Sequence, residues 1–481
     1  MGVQGLLPML RRVAPESIQS IAASSFSSLF PVVAIDGTLL LIRNFRSQYT
    51  ALNYSFNHFK WAFKLARYCR RQKIMPIVVF DNPIPNEHKA EEHEKRKLLK
   101  ENVIRDRNDI SKRVSLQKTF ESVLLSETKQ FNVPDFDLDE VLYSLENLLE
   151  DVDLENTKLP TPVNPEDLES ASKSPDVRVP SPNSIDKKLK QKKLEKVEEL
   201  YNQLIGLLSD LGSFSDVNEY LKTLKPRSDF RDLKLCVLYL LGKLDLETLR
   251  SCRLKVQEEL IKYERRLYSP TKQHFEELIE LLKILNIPVT YAPIAVEAEA
   301  FASAIYKKNL ATVVATQDTD TLALGAPMVS DFLDNSQLFY HFLTYVNPMR
   351  ICDSLNISYR QFQIYCLMCG TDFSTRIPKI GPVRALELIQ EHRDVSSILS
   401  HLSLSNKFNV PEDYEKQMKI ALERFTELPN KNEFFQFITA SQKSFLQMSD
   451  TYYLDLERQA LKVFNLQPDF VEHNVLEYYH Y

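Results

Sequence analysis

Residues 28–37 read SLFPVVAIDG, and residues 74–82 read IMPIVVFDN. Each is a short apolar run that ends in an aspartate, which is the pattern of a buried parallel strand reaching a loop. Between them, the segment from Asn57 to Gln72 places apolar residues among basic ones and predicts an amphipathic helix. A strand, a helix and a second strand in this order predict a parallel sheet with a helical crossover.

The same alternation returns late in the chain. VEAEAFASAIYKK (296–308) predicts a helix, and LATVVATQD (310–318) predicts another strand. Residues 359–396 predict two helices around a tight turn, RIPKIGPVRA, and the tail to Tyr481 is mainly helical in pattern. We therefore predict an α/β fold with a central, twisted, mostly parallel sheet flanked by helices.

The composition predicts a soluble, intracellular protein of several domains. The chain has 481 residues, of which 44% are hydrophobic, and no apolar run approaches the roughly 20 residues needed to cross a bilayer. The start, MGVQGLLPMLRR, does not match a secretory signal, because its apolar core is short and its basic residues follow that core. Six cysteines in so long a chain do not form a disulfide framework, and we expect buried free thiols.

The acidic residues are concentrated in one segment. The net charge is −5, yet residues 131–186 hold 14 acidic and 3 basic residues. The rest of the chain has 57 basic and 51 acidic residues, which is compatible with a polyanionic partner. Residues 160–182 are rich in proline and acidic residues, and this composition predicts disorder. KKLKQKK (187–193) is typical of a nuclear localisation signal and equally of a solvated helix face.

Several aspartates follow predicted strands. Asp36 and Asp81 end the first two apolar runs, and Asp318 and Asp320 follow the third. One such aspartate alone is most often a helix N-cap. Together they indicate a shared site, since the carboxyl ends of parallel strands meet at one crevice. Because residues two apart in an extended segment face the same side, we expect Asp318 and Asp320 to point to one side of their strand.

Three further carboxylates extend this group. Glu297 and Glu299 open the predicted helix, and Asp372 follows a helical run and a glycine. Seven carboxylates in one crevice would repel one another, and divalent cations relieve that repulsion. Carboxylate oxygens suit Mg²⁺ or Mn²⁺, and two such ions can act together on a phosphodiester. Metal-assisted phosphodiester hydrolysis is therefore the mechanism that the residues favour.

These motifs resemble the flap endonuclease/XPG family of structure-specific 5′ nucleases. MGVQGLLPML, AIDG, VVFDN, EAEA, ATQDTDTLALG and GTDF…IPKIGPVRALELI follow the order and spacing of the family over about residues 1–110 and 268–440. The resemblance implies a PIN-like nuclease core, a helical arch insertion and a helix-hairpin-helix-like DNA-binding element near 359–396. It implies nuclease regions at 1–110 and 268–400, the arch insertion at 111–267 and a helical extension at 401–481.

The resemblance also implies roles for individual residues. It implies that two Mg²⁺ ions, for which Mn²⁺ can substitute, are held by Asp36, Asp81, Glu297, Glu299, Asp318, Asp320 and Asp372. Lys89 and Arg96 match the basic pair of the family's helical gateway if one residue is inserted before them; without that insertion His88 and Lys95 stand there. A solvated helix is the alternative interpretation of this charged run.

The turn before residue 382 is similar to the family's duplex-binding turn, where a monovalent cation is often bound. The resemblance implies a K⁺ site at residues 379–381 and DNA contacts at Gly2, Lys379, Ile380, Gly381 and Arg384. Exposed amides at a helix start give the physical reason, and such contacts position a duplex without reading its bases.

The chain departs from the family pattern at several positions. Lys379 stands where the family usually has glycine, and Ile42 stands where flap endonucleases carry an aromatic residue or histidine. Two extra residues precede Glu297, Asn82 follows Asp81 in place of glycine, and the interval between Asp81 and Glu297 is unusually long.

We expect a monomeric, nuclear, Mg²⁺-dependent flap endonuclease or 5′-3′ exonuclease that acts on branched or flapped DNA in repair or replication. Mitochondrial and cytoplasmic locations stay open, and so does a protein partner for the 111–267 insertion. The alternative is a catalytically inactive member that acts as a nucleic-acid-binding or scaffold protein. A small-substrate phosphatase is disfavoured by the duplex-binding turn.

Overall fold

The computed structural model describes residues 2–47, 57–84, 90–126, 245–333, 342–371, 374, 376–404, 407–427, 429–467 and 469–471. The chain divides into two compact units. The first contains Met1–Lys100 and Arg265–Tyr481, and the second contains Glu101–Glu264. The predicted acidic linker near 131–186, residues 160–182 within it and the basic segment 187–193 lie outside the described residues.

A seven-stranded sheet forms the centre of the first unit. Its strands are β1 (Ile18–Ala22), β2 (Val32–Asp36), β3 (Met75–Phe80), β4 (Val289–Tyr291), β5 (Val313–Ala315), β6 (Met328–Ser330) and β7 (Phe342–Val346). They lie in the order β1-β7-β6-β5-β2-β3-β4. The central pairs are parallel, and β7 runs antiparallel to both β6 and β1. The predicted mostly parallel sheet is confirmed, and β1 is a strand that the sequence pattern did not predict.

The helices flank this sheet. The described helices that lie wholly in the first unit are α1 (Leu6–Val13), α2 (Ala23–Leu29), α3 (Gly37–Ser47), α4 (Asn57–Gln72), α7 (Lys272–Ile284), α8 (Ala298–Lys307), α9 (Asp320–Ala323), α10 (Pro348–Leu355), α11 (Tyr359–Cys369), α12 (Pro382–His392), α13 (Val395–Leu404), α14 (Tyr414–Thr426), α15 (Asn432–Gln447) and α16 (Asp450–Val463). The helix predicted over 57–72 and the helix pair predicted within 359–396 are confirmed.

Both faces of the sheet are buried. Along β2, Val33 and Ile35 pack into one apolar cluster, whereas Ala34 packs into another on the opposite face. This alternation follows from the two-residue period of a strand. On the second face, Phe301 of α8 stacks against Phe435 of α15, with ring centroids 5.6 Å apart. The sheet is therefore a middle layer, and its loops rather than its faces are available to a ligand.

Helix α16 closes the first face of the sheet. Arg67 of α4 donates two hydrogen bonds, of 2.8 and 2.7 Å, to the Glu457 carboxylate of α16. One turn later, Arg70 bonds the Asp450 carboxylate at 2.7 Å and lies over the Tyr453 ring. Glu457 is buried, so its charge needs a partner, and the Arg67 guanidinium provides one.

The described helical part of the second unit consists of residues 101–126 of helix α5 (Ala90–Ser126) and residues 246–264 of helix α6 (Leu246–Leu267). Ile110, Val114 and Val256 bury their side chains together, and Leu260 and Tyr263 pack against them. Arg107 lies 3.3 Å from the Glu264 carboxylate. A small apolar seam with an ion pair thus joins the two helices.

The expectation of buried free thiols is met at three cysteines. Cys352, Cys366 and Cys369 are buried free thiols, as predicted. In the described part of the chain, no helix is both long enough and apolar enough to cross a bilayer.

Candidate active site

Asp36 stands at the carboxyl end of β2 and is only 3% exposed. Its Oδ1 accepts a hydrogen bond of 3.0 Å from the Leu39 amide at the start of α3. Its Oδ2 accepts one of 2.9 Å from the hydroxyl of Thr316, which follows β5. The carboxylate is therefore oriented by a neighbouring strand as well as by its own helix.

Asp81 follows β3, next to β2 in the sheet. Its Oδ1 accepts a hydrogen bond of 2.8 Å from the Ala298 amide, the first residue of α8. Its own amide donates to Thr38 Oγ1 at 2.8 Å. Asp81 thus caps α8 from outside that helix and fixes the helix start beside the ends of β2 and β3.

Glu297 and Glu299 are brought to this edge by α8. Glu297 is the N-cap residue of the helix, and Glu299 lies in its first turn with 8% exposure. The two residues inserted before Glu297 form a turn in which Ala295 has φ 62° and Val296 N–H bonds Pro293 O at 3.1 Å. The insertion is absorbed in this turn, since Asp81 still holds the helix start.

Asp318 and Asp320 lie beyond the end of β5, and the expectation that they share a side of an extended strand is wrong. The strand ends at Ala315, Thr319 has helical angles (φ −73°, ψ −7°), and Asp320 begins α9. Asp318 Oδ1 accepts a hydrogen bond of 3.0 Å from the Asp320 amide. The Asp318 amide in turn donates to Thr316 Oγ1 at 3.1 Å. A side chain capping the next backbone turn therefore replaces the predicted extended geometry.

Gly2 packs directly against this loop. Its φ is 84°, and a β-carbon at this position would collide with Asp318 Oδ1, Thr319 Oγ1 and the Thr319 amide. Glycine is thus required both for its backbone angle and for the close approach. The amino-terminal segment is part of the wall of the site.

Mutual repulsion shows that five of the carboxylates converge. Burial, the nearby charge of Asp81 and, to a smaller extent, that of Asp318 raise the pKa of Asp36 from 3.8 to about 8, against the lowering effect of its hydrogen bonds from Leu39 and Thr316. The pKa of Glu299 is raised well above its ordinary value by burial, and then by Glu297, Asp318, Asp36 and Asp81. Asp320 is 1% exposed and lies near enough to Cys366 to add to the rise in the pKa of that thiol.

The chemistry of this edge fits divalent cations. Its donors are carboxylate oxygens, which Mg²⁺ and Mn²⁺ prefer, and cations would relieve the repulsion among them. Among the residues that the structure describes, no three acidic, histidine or cysteine side chains are grouped tightly enough to hold an ion as they stand. A bound cation would cancel the repulsion that keeps these side chains apart and so favour their closer approach.

Two predicted site residues, Lys89 and Asp372, lie outside the described residues. Arg96 lies on α5 with its side chain partly buried. The assignment of Lys89 and Arg96 to the basic pair of the helical gateway therefore stays a prediction.

The predicted duplex-binding turn connects α11 to α12. Lys379 is exposed with φ 69°, Gly381 is the N-cap of α12, and Pro382 is its first residue. The Ile380 side chain is fully buried and its amide donates to Ile377 O at 3.1 Å, so this residue holds the turn together. Arg384 is exposed, and its Nη1 donates to Lys379 O at 2.9 Å.

Comparisons with known proteins identify two family regions in the chain. The XPG N-terminal domain model matches residues 1–103, and the XPG I-region model matches residues 286–372. An uncharacterized protein of Schizosaccharomyces pombe is 42% identical over 491 residues, covering 100% of this chain and 98% of that protein. Flap endonuclease 1 of Drosophila ananassae is 37% identical over 169 residues, 35% of this chain and 42% of that protein.

The chain belongs to the XPG/flap endonuclease family. This is a family of structure-specific nucleases. The solved flap endonuclease-1 from Methanococcus jannaschii covers 96% of this chain and 100% of its own at 15% identity, with a TM-score of 0.41.

Several residues of this XPG-family site carry no signal in the sequence pattern. Thr316 hydrogen-bonds both Asp36 and the Asp318 backbone, but a threonine at a strand end is too common to be singled out. Thr38 and Arg376 are further examples, since their contacts depend on segments distant in the chain. The pattern that could have found Thr316 is its position one residue after β5, at the same edge as Asp36.

Proposed function

We propose that the protein is a Mg²⁺-dependent, structure-specific nuclease that hydrolyses DNA phosphodiesters near junctions of single and double strands. It would act as a 5′-flap endonuclease, a 5′-3′ exonuclease or both. The observation that carries the proposal is the mutual repulsion of Asp36, Asp81, Glu297, Glu299 and Asp318 at one edge of the sheet. Burying like charges beside one another destabilises a fold, and such an arrangement is typical of a site that binds cations.

The seven carboxylates would hold two ions between them. They are Asp36, Asp81, Glu297, Glu299, Asp318, Asp320 and Asp372. Two bound divalent ions supply charge stabilisation for an in-line displacement at phosphorus, and Mn²⁺ can take the place of Mg²⁺.

The protein's own residues would prepare this chemistry. Thr316 holds Asp36 through its hydroxyl and receives the Asp318 amide, so one side chain sets the relative position of two ligands. The Ala298 amide orients Asp81. Partners that orient ligands in this way typically matter by about 10- to 100-fold in metal affinity or activity.

Basic residues would hold the substrate. Lys89 and Arg96 would neutralise the phosphate that is cut, and Gly2, which packs against Asp318, would contact the DNA beside it. Lys379, Ile380, Gly381 and Arg384 would position the downstream duplex through its phosphates, without base contacts. The family relationship supports branched or flapped DNA as the substrate, a role in repair or replication, and action in the nucleus.

The test is cleavage of end-labelled 5′-flap, nicked, gapped and hairpin DNA by the full chain in Mg²⁺. We expect wild type to cut at least one of them and Asp318→Asn/Asp320→Asn to lose more than about 100-fold in rate, since direct ligands matter more than their supporting partners. The double variant should still bind DNA in a gel-shift assay. Asp353→Asn, an exposed carboxylate outside the cluster, is the matched control and should cut normally.

Equal cleavage by wild type and the double variant would overturn the site assignment. If wild type binds DNA and cuts none of the four substrates, the catalytic proposal fails and a binding or scaffold role takes its place.

A further inference from the structure

The turn between α11 and α12 has two backbone carbonyls that already accept hydrogen bonds from cationic side chains. Arg384 Nη1 donates to the Lys379 carbonyl at 2.9 Å. Arg376 Nη2 donates to the Ile380 carbonyl at 3.3 Å. Lys379 itself is a third cation on the same turn, and its side chain is exposed.

These contacts do not fit the K⁺ ion that the family resemblance implies at residues 379–381. A potassium ion in such a turn needs carbonyl oxygens as ligands, and two of the candidates are engaged with guanidinium groups. Three positive side chains within nine residues also repel a further cation. The backbone angle of Lys379, φ 69°, favours glycine, so a lysine is held there against the usual preference.

Each guanidinium is held in place by a second contact away from the turn. Arg376 Nη1 donates to Gln4 Oε1 at 3.0 Å. The stem of Arg376 packs against Gly370, where an added β-carbon would lie 2.7 Å from its Cγ. The guanidinium of Arg384 lies over the Phe408 ring, 5.4 Å from the centroid. Groups fixed in this way need little further ordering when they interact.

We propose that Arg376 and Arg384 take the place of the monovalent cation, so that the turn is a phosphate-binding element whose charge belongs permanently to the chain. Its ligand would be two or more phosphates of a DNA duplex. A guanidinium has five N–H donors, so each arginine can cap a carbonyl and still donate to a phosphate oxygen. The DNA part of this inference rests on the proposed function; the absence of a potassium requirement does not.

The first experiment measures the thermal unfolding midpoint of the full chain without DNA, in KCl, NaCl and choline chloride at equal ionic strength. We expect the three midpoints to agree within about 1 °C, because the turn binds no specific ion. A midpoint that rises with KCl in a saturable way, above both other salts, would overturn the proposal. This outcome does not depend on whether the protein is a nuclease.

The second experiment measures affinity for a 5′-flap duplex in the same three salts, with EDTA present to prevent cleavage. We expect equal affinities within about twofold for wild type. Arg376→Ala/Arg384→Ala should weaken binding and reduce the slope of log affinity against log salt by about 2, one for each lost phosphate contact. Circular dichroism establishes that the double variant is folded.

Lys416→Ala/Lys419→Ala is the matched control, because it removes the same charge from exposed positions of α14. It should leave the slope within about 0.5 of wild type. An equal reduction by both double variants would contradict a specific role for the turn. If wild type binds none of the DNA substrates, the proposed function fails, and the thermal experiment alone then decides the potassium question.

Discussion

The acidic edge, where Asp36, Asp81, Glu297, Glu299 and Asp318 lie close together, and the α11–α12 turn are two charged regions of the first unit. Their charges are balanced in opposite ways. At the acidic edge, burial and neighbouring carboxylates raise the pKa of Asp36 and of Glu299, and the hydrogen bonds that orient Asp36 come from neutral donors. At the turn, arginine side chains satisfy carbonyl oxygens directly. The acidic edge needs cations from solution to balance its negative charge, whereas the turn carries positive charge on its own arginine side chains. The comparison suggests that metal dependence and DNA affinity can be separated by mutation.

The amino-terminal segment touches both places. Gly2 abuts Asp318, and a β-carbon on Gly5, where φ is 71°, would lie 2.8 Å from Pro382 Cγ at the start of α12. The Gln4 amide also donates to Gly370 O at 3.1 Å. Gly2 and Gly5 have similar backbone angles, so substitution of either by alanine causes similar backbone strain. Substitution of Gly2 disturbs the acidic edge, and substitution of Gly5 disturbs the α11–α12 turn.

The largest effect is expected from Gly2→Ala. The added methyl group displaces Asp318, and a misplacement of about 1 Å at a reacting centre can lower the rate roughly 100-fold. Single-turnover cleavage of a 5′-flap duplex should fall by that amount, with DNA affinity changed less than about threefold.

Gly5→Ala is the control for the strain that both substitutions share. It should weaken DNA binding while leaving the rate at saturating DNA within about threefold of wild type. Similar losses of rate and affinity in both variants would show that the two places are not independent.

A smaller effect is expected from pH in the metal-free protein. The pKa of Asp36 rises from 3.8 in its ordinary state to about 8 in the folded chain. The folded state therefore binds a proton that the unfolded state has released, and stability is lost as the pH rises from 4 towards 8. The slope is about 1.4 kcal/mol per pH unit for each such carboxyl. The unfolding midpoint in EDTA should fall by roughly 1–2 °C per pH unit relative to a variant that lacks one of these carboxyls.

Glu299→Gln is that variant. It removes one of the repelling charges, so its midpoint in EDTA should exceed that of wild type at pH 8 and approach it at pH 5. Added Mg²⁺ should raise the wild-type midpoint most at pH 8. A wild-type midpoint that increases from pH 5 to pH 8 in EDTA, relative to Glu299→Gln, would falsify the repulsion at the acidic edge.

The smallest effect is expected at Lys379. Replacement by glycine removes a side chain from a left-handed backbone position and should stabilise the protein by about 0.5–1 kcal/mol. The same change removes one exposed cation, so the salt slope of DNA binding should decrease by about 1. Chemical denaturation and fluorescence anisotropy measure the two changes separately. Destabilisation by Lys379→Gly would mean that the lysine side chain supports the turn.

The strands of the acidic edge were predictable because a buried parallel strand is a nearly continuous apolar run. Asp36 and Asp81 mark the ends of two such runs, and parallel pairing brings those ends to one edge. The strand β1 was missed because IQSIA mixes polar and apolar residues and is only partly buried. Its pairing is set by β7, more than 300 residues later.

Details of the site depend on side chains that distant segments bring together. Thr319 adopts helical angles because Asp318 caps the Asp320 amide, and no periodicity reveals such a capping bond. The position of the Arg376 guanidinium is set by its hydrogen bonds to Gln4 Oε1 and to the Ile380 carbonyl. Local pattern therefore predicts where the carboxylates lie, and tertiary contacts decide how they and the turn are held.

The pairing of Arg67 with Glu457 has a consequence for how the chain folds as it is synthesised. The two residues are 390 positions apart, and the second lies in the last described helix. Until α16 leaves the ribosome, α4 exposes its basic residues and the apolar surface that Tyr453 and Leu461 later cover. Closing so large a loop is slow, so the nascent first unit should remain incomplete until α16 has been synthesised. Fragments that stop before α16 should therefore be poor models of the folded protein and frequent targets of chaperones.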